Sequence, residues 1–235
     1  MSEKIKSFPN YFEALNEEGK ILFTEHVKFF NRQLRDREIE AKNAGPNIDI
    51  AGSLTKSVYS FTDNYIADYL KKDEETAKKI SCKKGCSFCC YLHVDITSAE
   101  ADILAEHVTE KHHVEQFMKQ SNHNIENWKD LPYQDRKCAF LVDGECSVYE
   151  DRPMSCRKYL VINDPEKCNT EVEIQTTEGV GLMSVEAILI STVLKYQSGT
   201  MSKMIYHALV KRIKNGEQRS IKSSDTGEAK GAAQE

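Results

Sequence analysis

Eight cysteines are the residues of this 235-residue sequence most able to do chemistry, and six of them fall in close groups. Thiolates act as nucleophiles, as redox groups and as ligands for zinc or for iron–sulfur clusters. Disulfides are rare in a reducing compartment, where grouped cysteines usually bind metal or do redox chemistry. Some cysteines could instead be small buried apolar side chains, but scattered core thiols would not be grouped in this way. We therefore expect a cysteine-built metal site.

The first group of cysteines reads C-x3-C-x2-C-C over residues 82–90. At about 100° per residue these four positions share one face even of an imperfect helix, so their sulfurs can converge. Gly85 allows the backbone to approach sulfur closely, and Lys83 and Lys84 offset part of the negative charge. The group consists of Cys82, Cys86, Cys89 and Cys90.

The second group of cysteines is spread over a longer stretch with the spacing C-x7-C-x9-C-x11-C, which loops can bring together. Asp143-Gly144 predicts a tight turn after the first of them, and Arg152-Pro153 predicts a rigid bend ahead of the third. Arg157 could donate hydrogen bonds to sulfide or thiolate, or it could form a surface ion pair. The group consists of Cys138, Cys146, Cys156 and Cys168.

Two strings of the sequence, CKKGCSFCC and CAFLVDGECSVYEDRPMSCRKY, carry a family resemblance. They resemble the YkgJ family of cysteine-cluster proteins, a zinc- or iron-chelating domain, and every cysteine of the family pattern is present within residues 82–159. Cys168 lies beyond that pattern. The resemblance implies that the chelating set is Cys82, Cys86, Cys89, Cys90, Cys138, Cys146 and Cys156, and that the cofactor is supported by Tyr149, Arg152, Pro153 and Arg157.

The same family includes the cysteine region of flagellin lysine methylases. A protein-modifying activity of that kind is therefore one alternative. This chain is shorter and shows no S-adenosylmethionine pocket in its sequence, so the methylase activity is not transferred to it.

The spacing of the ligands favours an iron–sulfur cluster over zinc. Cysteine-only ligation suits both. Structural zinc usually takes paired C-x2-C units, whereas three cysteines in one loop with a distant fourth are common in cubane clusters. Eight thiolates can hold two four-cysteine sites, or one such site with spare thiols. The first three cysteines also have the spacing of radical S-adenosylmethionine enzymes, but that chemistry needs repeated βα units, which this sequence does not predict.

Other candidate chemistry is weaker. His93 stands three residues after a cysteine, but a single histidine beside such a loop is more often structural than a ligand. Four further histidines lie in polar segments and are expected to be solvated. They are His107, His112, His113 and His123.

No nucleophile elbow, phosphate-binding glycine loop or HExxH motif is present, so hydrolase and nucleotide-binding functions have no support.

Composition and charge narrow the class of protein further. The mass of 26.8 kDa is enough to bury a core without metal. The formal net charge is -5, from 32 Lys and Arg against 37 Asp and Glu, so no broad basic field would attract nucleic acid or anionic lipid. No apolar run reaches the length of a signal sequence or a membrane-spanning helix. We expect a soluble, cytoplasmic protein without nucleic-acid or membrane partners.

Apolar residues at helical spacing predict helices on both sides of the cysteine region. The first covers residues 11–42 and ends at Gly45-Pro46. Another begins at Thr97, because Glu100 three residues later completes a capping-box pattern. Residues 111–136 are polar and are interpreted as helix end and loop. The remaining elements are a helix through Leu54, Val58, Phe61, Tyr65 and Tyr69, a short strand at Val172 and Ile174, a helix through Val185, Ile188, Leu189, Thr192, Val193 and Tyr196, and a last helix through Met201, Met204, Ile205, Ala208, Leu209 and Ile213.

Together these patterns predict a mainly α fold, with helices packed around an irregular cysteine-rich metal-binding centre. The expected function is a metal-binding protein whose thiolates hold an iron–sulfur cluster for electron transfer or redox catalysis, as in an oxidoreductase that acts with a redox partner or a protein substrate. The alternative is a zinc-stabilised binding module without redox activity. The expected regions are helices at 1–79, the cysteine-cluster domain at 80–170, helices packing on the same core at 171–216, and a disordered tail at 217–235.

Overall fold

The computed structural model describes residues 16–44, 49–162, 164, 168 and 197–215. Their regular structure is mainly helical, with two small pairs of strands, which confirms the expected fold class. Three predicted elements lie outside the described residues: the strand at Val172 and Ile174, the helix over 185–196, and the tail at 217–235.

Two long helices form the N-terminal part of the described chain and pack against each other. The first begins after Asn16, whose side chain accepts a hydrogen bond from the Gly19 N–H at 2.8 Å. The second is capped by Asp49, which accepts from the Gly52 N–H at 2.9 Å. Such caps satisfy N–H groups that have no partner inside the helix. The helices are α1 (Glu17–Ala44), α2 (Ile50–Lys72) and the short α3 (Glu74–Lys79).

A strand and a helix follow the first cysteine group and are closed by the C-terminal end of the described chain. Strand β1 (Asp95–Thr97) leads into α4 (Ser98–Ala105) through the predicted capping box, in which Thr97 and Glu100 each accept a backbone N–H from the other. Strand β4 (Ser198–Thr200) pairs antiparallel with β1, with Asp95 opposite Thr200. The predicted last helix, α7 (Met201–Lys214), continues directly from β4 and packs on α4.

The polar stretch after α4 is more helical than expected. Residues Lys111–Gln120 form a ten-residue helix, α5, which packs against α7. Its buried residues are His113, Phe117 and Gln120, spaced four and three apart, and two of them are polar. A helical stripe was therefore present in the sequence, but its composition did not mark it as a core face.

Short elements carry the second cysteine group. A two-residue hairpin loop joins β2 (Leu141–Val142) to β3 (Glu145–Cys146), and a single-turn helix, α6 (Met154–Arg157), follows. Within the described ranges of the chain there are also four 3₁₀ turns, at Phe88–Tyr91, Trp128–Asp130, Tyr133–Arg136 and Tyr149–Asp151.

The apolar core lies on either side of α4. The larger part joins α4, α5 and α7, and Leu104, Phe117 and Ile205 within it are fully buried. The smaller part joins α2, α4 and α6 through Val58, Ile103 and Met154. No helix of the described chain combines the length and apolar character that crossing a bilayer requires.

Candidate metal centre

The first cysteine group lies mainly on irregular backbone. Residues Cys82–Ser87 contain a turn in which Gly85 has a φ of 89°, a conformation that glycine adopts without strain. The short 3₁₀ turn that follows contains Cys89 and Cys90. The expected single helical face is therefore limited to the last two cysteines of the group. Cys82 and Cys86, the first two cysteines of the group, lie on either side of the turn at Gly85 instead of on a helix.

The second cysteine group is held beside the first by backbone contacts. The Cys138 N–H donates to the Cys90 carbonyl at 2.7 Å. Asp143 and Gly144 have φ angles of 49° and 81°, as a type I′ hairpin turn requires. This turn confirms the tight turn expected there, and it places Cys146 opposite Leu141 in the hairpin.

Seven of the eight cysteines line one cavity of about 140 Å³. A second cavity of about 300 Å³ lies beside it, and Cys89 and Cys156 line both. Cys168 is fully buried and does not line the cavity. Among the residues that the structure describes, no three Cys, His, Asp or Glu side chains are grouped tightly enough to hold a single metal ion. The seven cavity-lining cysteines are Cys82, Cys86, Cys89, Cys90, Cys138, Cys146 and Cys156.

Burial favours the protonated form of most of these thiols. It raises the pKa of Cys138 to about 12 and that of Cys168 to about 11. It also raises the pKa of Cys156, where the neighbouring Cys89 thiol adds to the effect. For Cys89 the main cause of a raised pKa is its hydrogen bond with Cys90, followed by burial. Without a cation in the cavity, Cys89, Cys138, Cys156 and Cys168 therefore hold their protons at neutral pH.

Backbone N–H groups point at three of the sulfurs and act in the opposite direction. The Val161 N–H donates to Cys82 Sγ at 3.1 Å. Hydrogen bonds from the backbone at Phe140 and Val148 lower the pKa values of Cys138 and Cys146 in the same way, although burial outweighs them. Hydrogen bonds of this kind stabilise thiolates and tune metal–sulfur centres. The donor set therefore fits a group ligated by thiolates.

Arg152 and Tyr149 lie at the edge of the cavity, next to the second cysteine group. The Arg152 guanidinium is stacked on the Tyr149 ring, with its Cζ 4.0 Å from the ring centroid. Its positive charge lowers the pKa of Cys146 and Cys156 against the effect of burial. Arg152 is thus placed to stabilise thiolate charge.

Arg157 is buried and bonds to protein acceptors. Its Nε donates to the Arg152 carbonyl at 2.8 Å, and its other nitrogens donate to the Glu150 carbonyl and the Asp63 carboxylate. Its Cζ also lies 4.1 Å from the Tyr59 ring centroid. No contact described for Arg157 reaches a cysteine sulfur. The ion pair considered from the sequence is present, between the buried Arg157 and an Asp63 side chain that is 40% exposed.

Glu100 supports the second cysteine group from α4, and sequence reasoning had identified it only as half of a capping box. Its carboxylate is 2% exposed. One oxygen accepts the Met154 N–H at 2.8 Å and the Tyr59 hydroxyl at 3.2 Å. The other accepts the Thr97 N–H at 2.8 Å. Because Met154 begins α6, Glu100 fixes the helix that carries Cys156.

His93 lines the second cavity together with Cys89 and Cys156. His93 Nε2 lies 3.2 Å from Thr200 Oγ1, and its ring meets Trp128 edge-on, which fits the structural role expected for it. The expectation of solvated histidines is wrong for His113, which is buried against Phe140 because α5 places it in the core. His107 pairs with Asp151 at 2.8 Å.

Residues 81–177 match a family model, CxxCxxCC, described as "Putative zinc- or iron-chelating domain". The match covers the whole cavity-lining set of cysteines and also Cys168. No curated protein and no solved structure gave a match to this chain.

Proposed function

We propose that the thiolates of residues 81–177, which match the model of the CxxCxxCC zinc- or iron-chelating domain, hold an iron–sulfur cluster used for electron transfer or redox catalysis. The carrying observation is the single cavity lined by seven cysteines. Such a cluster supplies one-electron chemistry when bound. Its partner would be a redox protein or a protein substrate, and the free thiols are in keeping with a reducing compartment such as the cytoplasm.

The spacing of the thiols supports a cluster over a single zinc ion. Zinc holds each sulfur at about 2.3 Å, so four sulfurs around it lie about 4 Å from one another. Seven thiols, more than the four that one zinc ion takes, line a cavity of about 140 Å³. A cluster of several iron and sulfide ions fills more space than one ion and is therefore the better fit.

The electrostatics of the cavity support a strongly bound cation. Burial makes isolated thiolates unfavourable there, as the raised pKa of Cys138 indicates. Binding a cation would release the thiol protons and exchange that penalty for metal–sulfur bonds. Arg152 and the backbone N–H at Val161 would then stabilise the remaining negative charge on the sulfurs.

The second cavity supports a redox role because two of the cysteines of the first cavity also line it. It is lined by Cys89 and Cys156, which also line the first cavity. Its volume of about 300 Å³ is at the lower end of small-molecule sites. A small reactant could approach the cluster there without displacing a ligand.

Zinc remains the alternative, in which the metal only fixes loops that present a partner surface. The family description admits it, and the two cysteine groups lie on segments with little regular structure. A metal that joins such segments supplies folding energy directly.

Anaerobic metal analysis separates the two. Protein purified without added metal should be brown and contain equal amounts of iron and acid-labile sulfide. Cys86→Ser should remove much of the iron and the visible absorption. His93→Ala is the matched control and should keep its iron, because this histidine bonds to Thr200. A colourless protein with stoichiometric zinc would overturn the iron–sulfur proposal and support the alternative.

A further inference from the structure

The cysteine cavity is lined by positive charge as well as by thiols. Four of its lining side chains are cationic, and among the described residues that line it none is a carboxylate. Walls that carry fixed charge of one sign raise the local concentration of ions of the opposite sign. Whether a cation attracts a ligand then depends on whether the protein already neutralises it. The four are Lys83, Arg136, Arg152 and Arg157.

Arg152 and Arg157 share one carboxylate, that of Asp63. Arg157 Nη1 donates to one of its oxygens, and Arg152 Nη2 lies 3.4 Å from the other. Lys83 and Arg136 have no carboxylate partner within the described ranges of the chain. Lys83 is exposed, so water solvates its ammonium group. Arg136 is half-buried and is therefore the cation of the cavity whose charge is least compensated.

Arg136 is held in place by main-chain carbonyl groups. Its Nε donates to the Leu131 carbonyl at 2.8 Å, and its Nη2 donates to the Lys129 carbonyl at 2.6 Å. A guanidinium carries further N–H groups besides these, and they have no acceptor among the described residues. The two bonds fix the side chain without cancelling its charge. Little side-chain entropy is then lost when an anion binds.

Apolar side chains line the same cavity as Arg136. Trp128 and Phe140 are both buried and both line it, and the guanidinium is tied to Lys129, the residue after Trp128. An ion pair is stronger beside such walls than in water. An organic anion can bury its apolar part against them, whereas an inorganic anion would lose its hydration without that gain.

We propose that the cavity binds a small organic acid, with its carboxylate on Arg136 and its apolar part against Trp128 and Phe140. The planar guanidinium fork matches the two oxygens of a carboxylate. The volume of about 140 Å³ limits the acid to a few non-hydrogen atoms. The proposal deepens the proposed function by naming the chemical class of a ligand beside the metal centre, and it rests on that function only for the metal.

Binding of propionate and propionamide to the full chain tests the proposal. The two ligands have nearly the same shape, but only propionate carries a charge. Propionate should bind about tenfold more tightly. Calorimetry measures this on the protein as purified, and the fluorescence of Trp128, the only tryptophan, measures it on the metal-free, reduced protein. Equal affinities for the two ligands, or no binding of either, would overturn the proposal. Loss of the preference on metal loading would overturn the placement of the acid beside the metal centre.

Substitutions test whether Arg136 carries the preference for propionate. Arg136→Gln should bind both ligands with about equal affinity. Arg136→Lys keeps the charge but lacks the fork, and it should lose part of the preference. Lys137→Gln is the matched control and should keep the preference, because it removes the same charge from an exposed side chain that lines neither cavity. A preference that survives Arg136→Gln would contradict the proposal. If that variant does not fold, the comparison of the two ligands in the unsubstituted protein still decides.

A role of Arg136 confined to offsetting the charge of the metal–thiolate centre gives a different result. Arg136→Gln would then lower the reduction potential, while the unsubstituted protein would show no preference for propionate, and the carboxylate site would be overturned. The two proposals fail separately. A colourless zinc protein that prefers propionate would refute the iron–sulfur cluster and leave the carboxylate site standing, whereas a brown iron–sulfur protein without the preference would do the reverse.

Discussion

Glu100→Gln tests whether one buried carboxylate holds the metal-binding segment to the helical core. Glu100 is 2% exposed, and its carboxylate accepts hydrogen bonds from four donors. Its two oxygens accept from the Met154 N–H, the Tyr59 hydroxyl, and the N–H and hydroxyl of Thr97. A glutamine can accept at only one of those two positions, so its NH₂ group must face a donor.

The size of the effect follows from those contacts. A hydrogen bond to a charged group contributes about 1.5–3 kcal/mol, and an orphaned buried donor costs about 1–3 kcal/mol. Removing the charge also relieves part of its desolvation, which offsets some of this loss. We expect a decrease of about 3 kcal/mol in the free energy of unfolding. For a chain of this size that corresponds to a fall of about 6–12 °C in the melting temperature.

Urea unfolding of the reduced, metal-free protein measures the change. The matched control is Glu115→Gln on α5, where the acid is 56% exposed and pairs with Lys111 at 3.2 Å. An exposed pair of this kind contributes about 0.5 kcal/mol or less. The reasoning would be refuted if Glu100→Gln were as mild as this control. A double-mutant cycle with Tyr59→Phe should show a coupling of about 1 kcal/mol.

Three further substitutions or conditions test other contacts. Arg157→Lys should lower the free energy of unfolding, measured in urea, by about 2 kcal/mol. The planar guanidinium bonds to Asp63 and to two carbonyls at once, which a lysine ammonium cannot do. A decrease of less than about 0.5 kcal/mol, on the scale of an exposed ion pair, would contradict this reasoning. Gly144→Ala should lower the free energy of unfolding by about 1 kcal/mol, because the backbone there has a φ of 81°, which strains a residue with a Cβ. Thermal melting measures the change, and an unchanged melting temperature would contradict this reasoning. The metal-free protein should lose stability as the pH rises from about 9 to about 12, since the unfolded chain releases thiol protons that Cys138, with its pKa raised to about 12, retains when folded. The slope should be up to about 1.4 kcal/mol per pH unit for each such thiol, and stability that rises over that range would reverse the sign.

Local signals explain most of what the sequence predicted correctly. The helices with apolar stripes, α2 and α7, begin and end near the predicted residues. Thr97 and Glu100 mark the start of α4, because a capping box is complete within four residues. The turn at Asp143-Gly144 is equally local, since it depends on φ angles that few residues adopt readily.

One feature that the sequence did not predict depends on a contact between distant parts of the chain. Asp63 meets Arg157 across 94 residues, and no pattern near either residue indicates the pairing. Helix α5 was missed for a different reason. Two of its three buried residues, His113 and Gln120, are polar, so burial there follows from packing and hydrogen bonding rather than from hydropathy. The Gln120 carbonyl oxygen, for example, accepts the Ser202 hydroxyl at 2.7 Å.

The pairing of β1 with β4 joins the matched segment to residues that follow it in the chain. Strand β1 lies within residues 81–177, but its partner and α7 come after them. An excised fragment ending at residue 177 would lose Met204, Ile205 and Ala208, which fill the core beside α4. Burying a methionine or an isoleucine contributes about 1.5–3 kcal/mol. The loss of Met204 and Ile205 together is therefore comparable with the whole free energy of unfolding of many domains. The matched segment therefore packs on a helix, α7, that lies outside the family model.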